Sequence, residues 1–81
     1  MILMHEMYAD FMKLDEWPGI SGKSVPIAPV EQRSDLSTLD GQIVTLISFD
    51  LRAQARIIQH EGWWFGVLTS AVEENPNAVA S

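Results

Sequence analysis

Apolar residues near the start of the chain recur at intervals of three and four positions, the spacing of one face of an α-helix. The residues that carry this pattern are Met4, Met7, Tyr8, Phe11, Met12 and Leu14. Pro18 disfavours helical backbone at the residue before it, and a glycine follows it. The pattern therefore predicts an amphipathic helix over residues 2–17.

Farther along the chain the apolar residues form short segments that are typical of β-strands. Residues 25–30 alternate around two prolines, which cannot donate to a strand ladder, so this segment is predicted to be an edge strand or a polyproline-like arm. Asp40-Gly41 is a turn signal immediately before the β-branched run at 42–49. That run and the aromatic segment 63–70 are both predicted strands.

Residues 50–62 allow two interpretations, and the choice between them decides the topology. In the preferred one, 53–59 is a strand and His60-Glu61-Gly62 is a hairpin loop that leads into the next strand. In the other, Asp50 caps a helix over 51–61, because the alanine, glutamine and arginine content there suits a helix. The second interpretation gives a strand-helix-strand unit.

These elements predict one small α+β domain over residues 1–72. The N-terminal helix would pack on a mostly antiparallel sheet of three or four strands, which could also close into a partly open barrel. Residues 73–81 carry little apolar surface, so we expect them to form a frayed tail.

Composition and charge narrow the classes of partner. The chain has 81 residues, is 47% hydrophobic and 20% charged, and carries a net charge of −6. Such a surface repels phosphate groups, so binding to nucleic acid or to an anionic membrane is not expected. A protein partner with a basic surface is favoured instead, because complementary charges speed association.

Motifs that bind cofactors or metals are not found in the sequence. Gly22-Lys23-Ser24 lacks the first glycine of a phosphate-binding loop, and Ala9 stands where a His-Glu-x-x-His motif starting at His5 needs its second histidine. No cofactor is therefore predicted. The chain has no cysteine, no basic signal-peptide start and no stretch of about 20 apolar residues, so we expect a cytoplasmic location.

The adjacent tryptophans Trp63 and Trp64 are the least ordinary feature of the sequence. Consecutive strand residues point to opposite faces, so one indole is expected in the core. The other must be covered by the helix, by a partner or by a ligand, or remain exposed. This pair suggests a binding surface anchored by tryptophan. Its charged residues would be Asp50, Glu61, Glu73 and Glu74.

The sequence thus predicts a small acidic, non-enzymatic protein-binding module, such as an inhibitor, an immunity-type protein or a phage or bacterial accessory factor. An alternative is a small-molecule or enzymatic site built from His60, Glu61 and Asp50, because a histidine beside a carboxylate can perform acid–base chemistry. A further alternative is a homodimer formed through the methionine-rich helix or an open sheet edge.

Overall fold

Six β-strands form one curled sheet in a computed structural model that describes residues 6–75 of the chain. Their bounds are Glu6–Tyr8 (β1), Ser24–Pro29 (β2), Ile43–Ile47 (β3), Leu51–His60 (β4), Trp63–Leu68 (β5) and Glu73–Glu74 (β6). The order across the sheet is β1-β3-β4-β5-β2, and β6 pairs with the start of β4. Only the β1–β3 pairing is parallel. The result is a half-barrel whose two edges are β1 and β2.

The predicted N-terminal helix and the α+β class are wrong. Within residues 6–75 the helical segments are 3-10 turns at Phe11–Lys13, Val30–Gln32 and Ser34–Leu39, and no α-helix occurs. Part of the predicted helix is instead strand β1, and Asp15 pairs with Ser24 in an isolated bridge. The first residues of that prediction, 2–5, lie outside the described part of the chain.

The reason for this error is that the same residues also fit a period of two. From Glu6 to Phe11, exposed and partly buried residues alternate, and the partly buried ones are Met7, Ala9 and Phe11. All three pack against the core. A short helix gains little on its own in water, whereas β1 supplies hydrogen-bond partners to the otherwise open edge of β3. Tertiary pairing therefore overrides the helical spacing.

The ambiguous segment 50–62 is strand and hairpin, so the strand-helix-strand alternative is also wrong. Strand β4 buries Ala53, Ala55 and Ile57 and exposes the residues between them, in strict alternation. A two-residue loop then joins it to β5. Both loop residues, Glu61 (φ 49°) and Gly62 (φ 81°), have positive φ, as the mirror-image turns of tight hairpins require.

The C-terminal part that the structure describes is attached to the sheet. β6 pairs with β4, and the buried Asn75 donates its backbone N–H to the carbonyl of Asp50 (2.9 Å). Residues 76–81 of the predicted tail lie outside the described residues.

The core fills the inner face of the curled sheet. Its buried residues are Val25, Leu36, Val44, Leu46, Ala55, Ile57 and Trp64. Gly66 on β5 lets the sheet pack closely here, because a Cβ at this position would lie 2.7 Å from Leu46 Cδ1 and 3.2 Å from the Cβ of Ala55. Phe11 and Leu14 pack against this core from the segment that connects the two edge strands.

Candidate functional site

The two edge strands of the half-barrel line one largely apolar groove of about 990 Å³. The N-terminal segment contributes Tyr8, Met12 and Trp17, and β2 contributes residues 26–29. Trp63 and Phe65 enter it from β5. The groove therefore lies between the N-terminal segment and the paired strands β2 and β5.

Exposed apolar side chains are concentrated in this groove. Five large apolar side chains are exposed in the part of the chain that the structure describes: Tyr8, Met12, Ile43, Phe49 and Trp63. Three of them line the groove, with exposed fractions of 76% for Tyr8, 95% for Met12 and 42% for Trp63. Contiguous exposed apolar surface of this kind marks interaction sites more often than scattered single residues do.

One wall of the groove is held by aromatic packing. The rings of Trp17 and Phe65 are 5.6 Å apart and tilted, and the Trp17 indole N–H donates to the carbonyl of Lys13 (3.2 Å). The His60 ring packs at 6.1 Å from Phe65, and its Nε2 lies 3.1 Å from the carbonyl oxygen of Pro18. These contacts fasten the segment around Trp17 to the outer face of β5.

Two carboxylates stand in the groove in fixed positions. Asp10 Oδ1 accepts the backbone N–H of Met12 (3.0 Å), and Asp15 Oδ1 accepts that of Glu16 (2.7 Å). Neither carboxylate forms an ion pair with a residue in the range 6–75. Each therefore keeps an oxygen that can accept from a cation.

Three further carboxylates belong to residues that are close along the chain to groove-lining positions. Glu16, Glu31 and Glu61 are exposed and are within two residues along the chain of groove-lining positions. The one basic residue among the lining residues is Lys13. The groove thus combines an apolar surface with more acidic than basic side chains among its lining and neighbouring residues.

The two predicted anchor residues separate as a pleated strand requires. Trp64 is 2% exposed and belongs to the core, while Trp63 is on the opposite face and lines the groove. The Nε1 of Trp64 is buried and has no hydrogen-bond partner within the described residues. Of the pair, only Trp63 can contact a ligand.

The four predicted acidic residues are not brought together. Glu61 is beside Trp63 at the hairpin end of β4, whereas Asp50, Glu73 and Glu74 are at the other end. Nine residue steps along β4 separate the two ends by about 30 Å. Glu73 instead faces Arg52, with Oε2 and Nε 3.9 Å apart. These three carboxylates are too remote to contact a ligand held by Trp63.

The residues of the alternative polar site also do not converge. His60 Nε2 and Glu61 Oε2 are 3.7 Å apart, but Asp50 lies at the far end of β4. The same His60 nitrogen is hydrogen-bonded to the carbonyl of Pro18, so it holds the segment around Trp17 against the sheet. Residues 6–75 contain no group of three or more His, Asp or Glu side chains placed to hold a metal ion.

The groove residues that sequence reasoning missed lie mainly in the segment assigned to a helix. Tyr8, Asp10, Met12 and Asp15 were placed on that helix. Met12 had a contact role only in the homodimer alternative, and no binding role was predicted for the other three. The alternation of Met7, Ala9 and Phe11 is the signal that could have placed Tyr8 on an exposed strand face.

Comparison of the chain with known protein families, with curated proteins and with solved structures gives no match. The groove and its residues are therefore the basis for a functional proposal. Within residues 6–75, the helical segments are too short and too polar to cross a lipid bilayer.

Proposed function

We propose that the protein is a non-enzymatic binding module that holds a short segment of a protein partner in the groove between its two edge strands. The observation that supports this most directly is the position of Tyr8, Met12 and Trp63, which are exposed and line the same groove. Tryptophan and tyrosine are enriched among the residues that dominate binding energy at protein interfaces.

Charge supports a cationic partner. The whole chain carries a charge of −6, and the groove is lined or flanked by Asp10, Asp15 and three glutamates. A segment that combines apolar side chains with lysine or arginine would bury the aromatic rings and pair with these carboxylates. An inhibitor or an accessory factor would use such a surface. The absence of cysteine fits a reducing compartment, so the cytoplasm is the location we propose.

A selection from a displayed library of random peptides tests this function. We expect the protein to enrich peptides that contain both apolar and basic residues. Trp63→Ala and Tyr8→Ala should each raise the dissociation constants of the selected peptides at least about tenfold. A change of this size is typical of an interface hot spot. Circular dichroism of each variant checks that the sheet is retained.

Phe49→Ala is the matched control, because Phe49 is also an exposed aromatic residue but lies outside the groove. It should leave peptide affinity unchanged. The proposal is wrong if no peptides are enriched, or if the selected peptides bind the Trp63 and Tyr8 variants as tightly as the original protein. Peptides whose binding depends on Phe49 instead would also contradict it.

A further inference from the structure

We propose that the segment bound in the groove is proline-rich, adopts the polyproline II conformation and carries a lysine or arginine beside its prolines. This inference rests on the proposed function, because it specifies the chemistry of the ligand for the same groove. Three features of the groove support this ligand: its strand edges, its hydrogen-bond donors and its carboxylates.

The edge of β2 is poorly suited to receive an added strand. Pro26 and Pro29 have no N–H to donate, and the register of β2 on β5 shifts between Pro26 and Ala28. Ser24 already exchanges two backbone hydrogen bonds with Asp15, at 2.9 and 3.1 Å. An extended peptide would therefore find few backbone donors along this edge.

The other edge of the groove offers little more. Strand β1 has three residues, Glu6–Tyr8, so it could pair with only a short stretch of a partner. Recognition through backbone ladders is therefore disfavoured on both sides, and side chains must supply most of the contacts.

The groove does offer donors on its aromatic side chains. The indole N–H of Trp63 and the hydroxyl of Tyr8 make no hydrogen bond to any residue between 6 and 75. A helical ligand has satisfied most of its own carbonyls, so it has little to offer these donors. A polyproline II segment has no internal hydrogen bonds, so its carbonyls are free to accept.

Shape and charge point to the same ligand. Proline rings present flat apolar surfaces to aromatic faces, and a segment that already favours polyproline II loses little conformational entropy on binding. Asp10 and Asp15 are held by backbone N–H groups and form no ion pair within the described residues. A neighbouring arginine or lysine of the ligand would supply that cation.

Three synthetic peptides of equal length and equal positive charge test the inference. One is proline-rich, one is rich in valine and threonine to favour a strand, and one is rich in alanine and leucine to favour a helix. Titration is followed by the NMR resonance of the Trp63 indole N–H. We expect the proline-rich peptide to shift this resonance and to bind at least about tenfold more tightly than the other two.

Conservative variants separate the contributions of the groove. Trp63→Phe and Tyr8→Phe keep an aromatic ring and remove the donor. Each should weaken binding of the proline-rich peptide without affecting binding of the helix-forming one, as measured by calorimetry because Trp63→Phe has no indole N–H. Asp10→Asn keeps the oxygen that accepts from Met12 and removes the charge. It should weaken binding and reduce its salt dependence, whereas Asp40→Asn, outside the groove, should do neither.

The outcomes distinguish this inference from the proposed function. Preferred binding of the strand-forming or helix-forming peptide, with a shift at Trp63, would overturn the polyproline II inference and leave the binding module intact. Binding of none of the three would also overturn it, and the library selection would then decide the fate of the function separately. A shift at Trp63 that depends on protein concentration alone would identify a second copy of the chain as the occupant and overturn both.

Discussion

The two faces of β5 carry adjacent tryptophans in contrasting surroundings. On the inner face, Trp64 is almost fully buried. Leu46 and Ala55 pack so closely against Gly66 that a side chain at this position would not fit. On the outer face, Trp63 lines an open groove. The same residue type therefore stabilises the fold on one side of a strand and presents a binding surface on the other, and the pleat alone determines which.

The largest expected effect is the difference between the two alanine variants. Trp64→Ala should lower the free energy of unfolding by about 3–5 kcal/mol, because it empties the centre of a small core. A domain of this size has little stability to lose, so this variant should be largely unfolded. Trp63→Ala should cost only about 1 kcal/mol, the typical value for a point substitution, because Trp63 is 42% exposed. Urea unfolding followed by circular dichroism measures both.

Trp64→Phe refines this comparison if Trp64→Ala does not fold. The Trp64 indole N–H has no partner in the described part of the chain, so phenylalanine removes a buried unsatisfied donor as well as volume. We expect Trp64→Phe to be clearly more stable than Trp64→Ala. Equal destabilisation by the alanine variants at positions 63 and 64 would contradict the assignment of the two faces.

The contrast between the two faces of β5 could be foreseen from the sequence. Once the strand is known, the alternation of side chains between its faces determines which tryptophan is buried. Strands β3 and β5 lie within the segments where β-branched and aromatic residues are concentrated. In β4 the helix-favouring composition competes with alternation, and Ala53, Ala55 and Ile57 decide in favour of the strand. The Glu61-Gly62 loop adds the hairpin signal.

The groove could not be foreseen in the same way. It requires β1 to pair with β3 across some forty residues of chain, which no local pattern encodes, although the prolines at 26 and 29 did indicate that β2 lies at an edge. The spacing of apolar residues between Glu6 and Leu14 fits both a helix and a strand, and only the open edge of β3 selects the strand. The acidic residues near the start of β4 were misplaced for the same reason, since their distance from Trp63 depends on how long β4 is.

The next effect concerns the close packing on the inner face. Gly66→Ala should lower the free energy of unfolding by about 1–3 kcal/mol, the usual cost of overpacking a core. Leu46 can turn its Cδ1 away from the new methyl group, but the Cβ of Ala55 cannot move without the backbone. The double variant Gly66→Ala/Leu46→Ala should therefore lose less free energy of unfolding than the sum of the losses in the two single variants.

A double-mutant cycle with thermal or urea unfolding measures this coupling. Val67→Ala provides the control. Val67 follows Gly66 and points to the opposite face of β5, so its replacement creates no overlap with Leu46 or Ala55. Full additivity of the Gly66 and Leu46 substitutions would show that the two residues are not in contact, and would contradict the inner-face packing described above.

The smallest expected effect lies away from both faces, in the turn that contains Arg33 and Asp35. Two hydrogen bonds of 3.0 Å join the guanidinium to the carboxylate, and they hold the pKa of Asp35 below its ordinary value while raising that of Arg33. The folded-state pKa of Asp35 is thus lower than its unfolded one, so any stabilisation is complete at pH values above the unfolded pKa and is lost as the pH falls through the folded one.

Because Asp35 is exposed, solvent screens this pair and its effect on stability should be at the limit of detection, in contrast to that of Trp64. The pKa itself is the sensitive measurement. An NMR titration of the Asp35 carboxyl carbon should give a midpoint below that of an ordinary aspartate, and Arg33→Gln should return it to the ordinary value. A midpoint that does not move on removal of the guanidinium would show that the ion pair does not persist in solution. The segment that follows Arg33 would then be held by its other hydrogen bonds, chiefly the Leu36 N–H that donates to the carbonyl of Arg33 (3.0 Å) and the Ser37 hydroxyl that donates to the carbonyl of Ser34 (2.8 Å).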